Sequence, residues 1–176
     1  TADRMGPVEL ASCSFGQSSK VSYLQMLTAV CAVVNGGELM QPYVVAKITA
    51  PDGTVVKEVR PTVKRRVISA ETSATMCRLM EGVVTGGTGK QAALAGYRIG
   101  GKSGTSEQLN MHRRADGDYK KVASFVAVLP ANDPEILVYV MLDDPNNART
   151  DYSSILAAPV VGNIISEVAP YLGLAT

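Results

Sequence analysis

A cation, two hydroxyls and a glycine stand together at Lys102-Ser103-Gly104-Thr105. In an extended strand alternate side chains share a face. Ser103 and Thr105 would then lie on one side, with Lys102 and Gly104 on the other. A twist or bulge near Gly104 would return the Lys102 head to the hydroxyl side. Such a set suits a ligand that carries a carboxylate and lies against a strand edge. The Thr105 N–H can aim at a developing oxyanion, which is a large catalytic contribution when the donor is preorganised. A plain solvated edge strand accounts for the same four residues, and on them alone it is the better account.

The same stretch has a second textual reading. Gly96 to Ser103 satisfies G-x-x-x-x-G-K-[ST], and Ile136 to Leu142 followed by Asp143-Asp144 looks like an apolar strand ending in an acid. A phosphate-binding loop works because its glycines run into a helix whose first N–H groups hold the phosphates. Gln91 to Ala95 before the loop is not a convincing strand, and Gly104 to Gln108 after it has no helical period. The physics therefore argues against a nucleotide.

Other chemistry-bearing residues are weaker candidates. His112 sits beside Arg113 and Arg114 in a polar connection and is read as solvated; the arginines are read as a charged loop face. Asp143 and Asp144 end a strand, where structural hydrogen bonding is the expected role, and Glu107 and Gln108 are placed at the outer cleft. The three cysteines, Cys13, Cys31 and Cys77, form no C-x-x-C pair and lie far from the single His. No metal site is expected. Cys31 and Cys77 fall in apolar helical patterns and read as structural thiols.

The elements that must position these groups can be traced along the chain. Ser22 to Gln25 is a capping box opening a helix, with Leu24, Leu27, Val30, Cys31 and Val34 at helical spacing and Asn35-Gly36-Gly37 as its stop. Tyr43 to Ile48 and Thr54 to Val59 flank Pro51-Asp52-Gly53 as a small hairpin. Ser69 caps a second helix, with Met76, Leu79, Met80 and Val83 on one face, ended by the Gly86–Gly89 loop. After the stretch from Tyr97 to Gln108, Val122 to Leu129 and Glu135 to Leu142 form a hairpin around Pro130 to Pro134. A last helix from Ser153 to Leu172 carries Leu156, Val160, Ile164 and Val168, with a start or kink at Pro159. The order gives an α+β fold: a three-stranded antiparallel core from Tyr97 to Leu142, flanked by helices.

Bulk properties bound the function. The chain has 176 residues, 46% of them apolar, and a formal net charge of +1. It is long enough for one domain with a sizeable core, and it offers no bulk charge for nucleic acid or an anionic membrane. No apolar run reaches the length of a membrane span. The opening Thr1-Ala2-Asp3-Arg4 is expected to lie inside a longer protein.

Lys102-Ser103-Gly104-Thr105 resembles the K-[TS]-G motif of the serine D,D-transpeptidase and β-lactamase superfamily. The surrounding text is more specific. Gly6 to Ala11, Ser14 to Gln17, Leu24 to Ala29, Asn35-Gly36-Gly37, Arg66 to Ser69 and Gly86 to Lys90 resemble class B penicillin-binding proteins. So do Ala95 to Tyr97, Ala123 to Phe125, Leu129 to Ala131 and Ala157 to Val160. The resemblance runs nearly end to end and implies that residues 1–176 are the C-terminal part of one transpeptidase domain, a partial serine β-lactamase-like fold. No Lys here has a Ser three residues before it, and no Asn has a Ser two before it. The family's S-x-x-K and S-x-N are therefore absent. In the family they precede the segment matching Gly6 to Gln17, so this stretch alone is expected to be inactive.

The resemblance implies an enzyme that cross-links peptidoglycan. A Ser outside this sequence attacks the D-Ala-D-Ala carbonyl of a stem peptide, D-Ala leaves, and the acyl group passes to an acceptor amine; β-lactams acylate the same Ser. Lys102 would supply positive potential and a proton relay, Ser103 and Thr105 would bind the ligand carboxylate, Gly104 would let the ligand lie flat, and the Thr105 N–H would be half of the oxyanion hole. No cofactor, metal, nucleotide or nucleic acid is implied. The expected location is the extracytoplasmic face of the bacterial membrane, with anchoring outside these residues. Two rivals are a non-catalytic penicillin-recognition or sensor module of the same fold and a β-lactamase-type hydrolase. Apolar richness at Val30, Cys31, Val33 and Val34 suggests a helix covered on more than one side, so self-association of the isolated stretch is also expected. For the phosphate-loop text, titration calorimetry with millimolar ATP or GTP and Mg²⁺ is expected to show no binding; a one-to-one isotherm lost in Lys102→Ala would reverse that reading.

Overall fold

The computed structural model describes residues 5–17, 19–108, 113–115, 117–145, 150 and 152–174. His112 lies outside them. The chain divides into two compact units, Ser22–Met76 and a second formed by Thr1–Val21 with Cys77–Thr176.

In the first of these, helix α2 (Tyr23–Val34) starts on the expected capping box: the Ser22 hydroxyl accepts the Gln25 N–H at 3.2 Å, and the Gln25 amide oxygen accepts the Ser22 N–H at 2.8 Å. Gly36 and Gly37 follow at φ 87 and 93. Gly37 is required twice over, since a Cβ there would lie 2.0 Å from the Ile68 carbonyl oxygen. That close approach lets β1 (Glu38–Met40) pair antiparallel with β4 (Val63–Arg66), two strands the pattern of apolar residues does not announce. The expected hairpin is present but shorter, as β2 (Lys47–Thr49) and β3 (Val55–Glu58), turned by Asp52, whose carboxylate accepts the Thr54 N–H at 2.9 Å. Only Ala32 and Val34 of α2 are buried, and Tyr23, Leu24 and Met26 are exposed.

Helix α3 (Ala70–Thr85) begins where Ser69 accepts the Thr72 N–H at 3.1 Å. Its buried seam is Ser73, Cys77, Met80 and Val84. The expected face of Met76, Leu79, Met80 and Val83 is thus rotated, and Leu79 is 60% exposed. Burial pushes the Cys77 thiol, and likewise that of Cys31, above its ordinary pKa.

The other unit is built on a three-stranded antiparallel sheet of β5 (Gly100–Glu107), β6 (Lys121–Leu129) and β7 (Ile136–Asp143), in the order β5-β6-β7. Helix α1 (Pro7–Ser14), for which no apolar period exists, starts at Gly6, whose N–H donates to the Glu9 carboxylate at 3.0 Å. A 3-10 turn covers Lys90–Ala92, and α4 (Ser153–Leu156) and α5 (Ala158–Leu172) close the chain with the expected break near Pro159. Ser153–Leu172 is long and apolar enough to span a membrane by composition, which corrects the expectation that no stretch is. Its inward face, however, packs on the sheet. That face is Ala158, Val161, Gly162, Ile165 and Ala169, one residue on from the expected Val160 and Ile164, which are exposed. Small residues make the closest contact: a Cβ on Gly162 would sit 3.2 Å from the Gln91 carbonyl oxygen.

β6 is the centre of the core. Ala123, Phe125, Ala127 and Leu129 are fully buried with Val161 and Ile165. The Phe125 ring fills a seat made of glycine backbone. A Cβ on Gly101 would meet two of its ring carbons at 2.7 Å, and a Cβ on Gly89 a third contact at 2.9 Å. Gly101→Ala is therefore expected to cost about 1–3 kcal/mol by overpacking, whereas Gly82→Ala, on an exposed turn of α3 with nothing within 4 Å, should be stabilising. Urea unfolding of both variants checks this.

Arg98 and Glu81 join the approach to β5 to α3 through two hydrogen bonds, 2.7 and 2.8 Å. The bond from Arg98 holds the Glu81 carboxyl below the ordinary carboxylate range, outweighing desolvation. A depressed folded-state pKa contributes stability above the unfolded value, about 4.3, that is lost as pH falls through the folded one. Glu81→Gln should flatten the acid limb of the Tm-versus-pH curve below about pH 4; an unchanged limb would show that the pair is inert.

Candidate active site

β5 lies at the edge of its sheet, paired on one side only. Its register with β6 runs without slip from Gly100↔Val128 to Glu107↔Lys121. Ser103 opposes Phe125 and Thr105 opposes Ala123, so the two hydroxyls share the face of the helical core; Lys102 and Gly104 oppose Val126 and Ser124 on the other face. The alternation is as expected, but the bulge anticipated near Gly104 is absent. The Lys102 head returns by its own length instead: Nζ donates to the Ser103 carbonyl at 2.5 Å.

The backbone geometry decides what the free edge offers. The Arg98 carbonyl accepts the Ala131 N–H at 2.7 Å, and the Gln108 N–H donates to the Lys120 carbonyl at 2.7 Å, both toward the β6 side. Peptide groups alternate between the two edges of an extended strand. Those of Ser103 and Thr105, at odd offsets, therefore fall on the free edge. In agreement, the Thr105 carbonyl is held by the Gln17 side-chain amide at 3.2 Å and not by a strand. The Lys102 ammonium, on the Ser103 carbonyl, is at that edge too.

Each hydroxyl has a partner from another element. Ser103 Oγ lies 3.2 Å from Thr88 Oγ1, in the loop after α3. Thr105 Oγ1 accepts the Ser153 N–H at 3.3 Å and donates to Ser153 Oγ at 3.3 Å, at the start of α4. At Gly104 a Cβ would lie 2.9 Å from Ser124 Oγ, and that hydroxyl donates to the Gly104 carbonyl at 3.3 Å. Lys102, Ser103, Gly104 and Thr105 are thus brought together with Gln17, Thr88 and Ser153, which sequence reasoning did not assign. Gln17 and Thr88 stood inside quoted family segments without a role; Ser153 carried no signal, because only folding puts it beside a residue 48 positions away.

The remaining candidates are engaged elsewhere. Arg113 stacks over Tyr119, 4.0 Å from the ring centre, and donates to the Gly117 carbonyl and the Tyr119 hydroxyl. Asp144 takes Arg114 Nε at 2.8 Å and lies 3.2 Å from Lys120 Nζ; the hydrogen bond from Arg114 chiefly holds its carboxyl below the ordinary range. Asp143 accepts from the Gln108 amide. Among the described residues no cluster of His, Cys, Asp and Glu could hold a metal. Gly96 to Ser103 runs into a strand, so no helix N-terminus stands behind the phosphate-loop text.

Comparison with known proteins identifies the family and the fold. The family model for the penicillin binding protein transpeptidase domain matches residues 2–166. Stage V sporulation protein D of Bacillus subtilis is 40% identical over 176 residues, covering 98% of this chain and 26% of that protein. The probable peptidoglycan D,D-transpeptidase FtsI of Caulobacter vibrioides is 35% identical over 176 residues, covering 94% and 28%. The chain thus spans about a quarter of the length of these curated relatives. Penicillin binding protein 3 of Mycobacterium tuberculosis, complexed with aztreonam, superposes with a TM-score of 0.81 at 29% identity, over 99% of this chain and 40% of that one. The transpeptidase domain of Burkholderia pseudomallei penicillin-binding protein 3 gives 0.77 at 30% identity, over 99% and 50%. An edge strand bearing Lys-Ser-Gly-Thr, a matching fold and a family match across most of its length lead to one conclusion: this chain belongs to the penicillin-binding-protein transpeptidase domain family.

Proposed function

We propose that this chain supplies the ligand-carboxylate and oxyanion side of a peptidoglycan D,D-transpeptidase, and that its two units are parts of one transpeptidase domain. The observation that carries the reading is the free edge of β5, where the Thr105 peptide group, the Lys102 ammonium and two hydroxyls meet. An extended D-Ala-D-Ala terminus laid along that edge would offer its carboxylate to Ser103 and Thr105 and its scissile carbonyl oxygen to the Thr105 N–H.

The reacting Ser belongs to an S-x-x-K that this sequence does not contain. Its oxygen forms a bond to the carbonyl carbon, the C–N bond to the terminal D-Ala breaks, and the Ser proton leaves with that amine. An acceptor amine then takes the acyl group and returns a proton to the Ser. Through both steps Thr105 N–H would hold the oxyanion, a donor worth about 2.7–4 kcal/mol in comparable sites. Lys102 would supply a positive field at the carboxylate and a path for the proton. β-Lactams, whose ring presents a strained amide and a carboxylate, would acylate the same Ser. The name of the Caulobacter relative, a probable peptidoglycan D,D-transpeptidase, favours an enzyme over a recognition-only module. In this reading the enzyme works on the extracytoplasmic face of the bacterial membrane, with peptidoglycan stem peptides as substrate and no cofactor.

In the full-length protein, Lys102→Ala and Thr105→Val should each slow acylation by a penicillin by about a hundredfold. Stopped-flow or gel-based labelling measures it. Wild-type rates in both variants would leave the motif as an ordinary surface strand.

A further inference from the structure

Ser153 is one of two buried polar residues among those described, 2% exposed, and the other, Ser73, belongs to the opposite unit. Both polar groups of Ser153 engage one atom. Its N–H donates to Thr105 Oγ1 at 3.3 Å, and its Oγ accepts from Thr105 Oγ1 at 3.3 Å. A threonine hydroxyl has one proton and two lone pairs. The backbone N–H cannot reverse its direction, so it permanently occupies one lone pair of Thr105. That leaves one lone pair and the proton, and in the free site the proton is donated to Ser153 Oγ. Ser103 has no such fixed polarity, because Thr88 is a hydroxyl that can either give or accept.

We infer that Ser153 is a positioning residue that biases Thr105 toward donation and holds its proton until an anionic ligand takes it. The inference rests on the reading of β5 as the ligand-carboxylate strand. A carboxylate is a stronger acceptor than a neutral hydroxyl, so it displaces Ser153 Oγ while the Ser153 N–H stays in place. A neutral ester competes poorly for the same proton. The Ser153 N–H thereby adds selectivity for ligands that end in a free carboxylate, an effect that competition from Ser153 Oγ partly offsets; both act through Thr105 without touching the ligand.

Two substitutions separate the two groups. Ser153→Ala keeps the N–H and removes the competing acceptor. Ser153→Pro removes both, at the first position of α4, where proline is well tolerated; the preceding Tyr152, at φ −74 and ψ 125, already has the conformation that proline demands of its neighbour. The readout is the acylation rate of the full-length protein by a β-lactam acid divided by that for its methyl ester. Ser153→Ala should raise this ratio by about two- to fivefold, and Ser153→Pro should lower it by about tenfold or more. In a Thr105→Val background Ser153→Pro should have no further effect on the ratio.

A ratio unaltered by Ser153→Pro, or lowered by Ser153→Ala, overturns the inference. So does a full effect of Ser153→Pro persisting without the Thr105 hydroxyl. Because Ser153→Ala leaves the backbone intact, its arm decides even where the proline variant fails to fold. Absence of any acylation in the wild type would instead defeat the transpeptidase reading and would be recognised as such.

Discussion

The seat of the Phe125 ring sets the spacing of the site. The tip of the ring, its Cζ, presses on both Gly101 in β5 and Gly89 in the loop that follows α3. Two backbone segments that carry hydroxyls, Thr88 in the loop and Ser103 on the strand, are held at hydrogen-bond distance because the same ring meets Gly89, next to Thr88, and Gly101, two residues before Ser103. Neither glycine has a side chain to spare the contact. The core face of β6, buried with Val161 and Ile165 of α5, keeps the ring itself from moving. The chemistry at the surface thus rests on an aromatic packed one layer down.

Around that seat the fold attaches separate pieces of chain to β5 at single points. The segment after α1 reaches the Thr105 carbonyl through Gln17, α4 reaches the Thr105 hydroxyl through Ser153, and α3 holds the approach to the strand through Glu81 and Arg98. These are polar contacts of ordinary strength, about 1 kcal/mol each in net terms. The β5–β6 ladder provides rigidity, while the polar contacts orient particular groups on it. α1 shows the division clearly: none of its residues is buried, so it is positioned by its connections more than by packing.

Legibility in the sequence followed the kind of physics each element depends on. The β6–β7 hairpin was plain, because buried strands are long apolar runs and Pro130 to Pro134 can only turn. The α2 start was plain, because capping is local. Helix faces were misjudged by a residue: large apolar side chains such as Val160 and Ile164 dominate a periodic count, yet close helix–sheet contact selects small ones, Ala158, Gly162 and Ala169. β1 and β4 left no trace, since three- and four-residue strands with half or fully exposed side chains have no alternation to detect. At the site, Lys102 to Thr105 could be read because their chemistry is contiguous. Gln17, Thr88 and Ser153 could not, because their partners are set by tertiary distance.

An open strand edge is also a liability. Its peptide groups are a template on which any extended segment can add itself, and repeated addition is how sheets aggregate. β5 keeps such an edge and holds three glycines in eight residues, which weakens its hold on any one register. The positive charge of Lys102 at that edge disfavours a neutral strand from another molecule. Solubility therefore draws on the side chain proposed to face the ligand, and the colloidal behaviour of this family member is tied to Lys102.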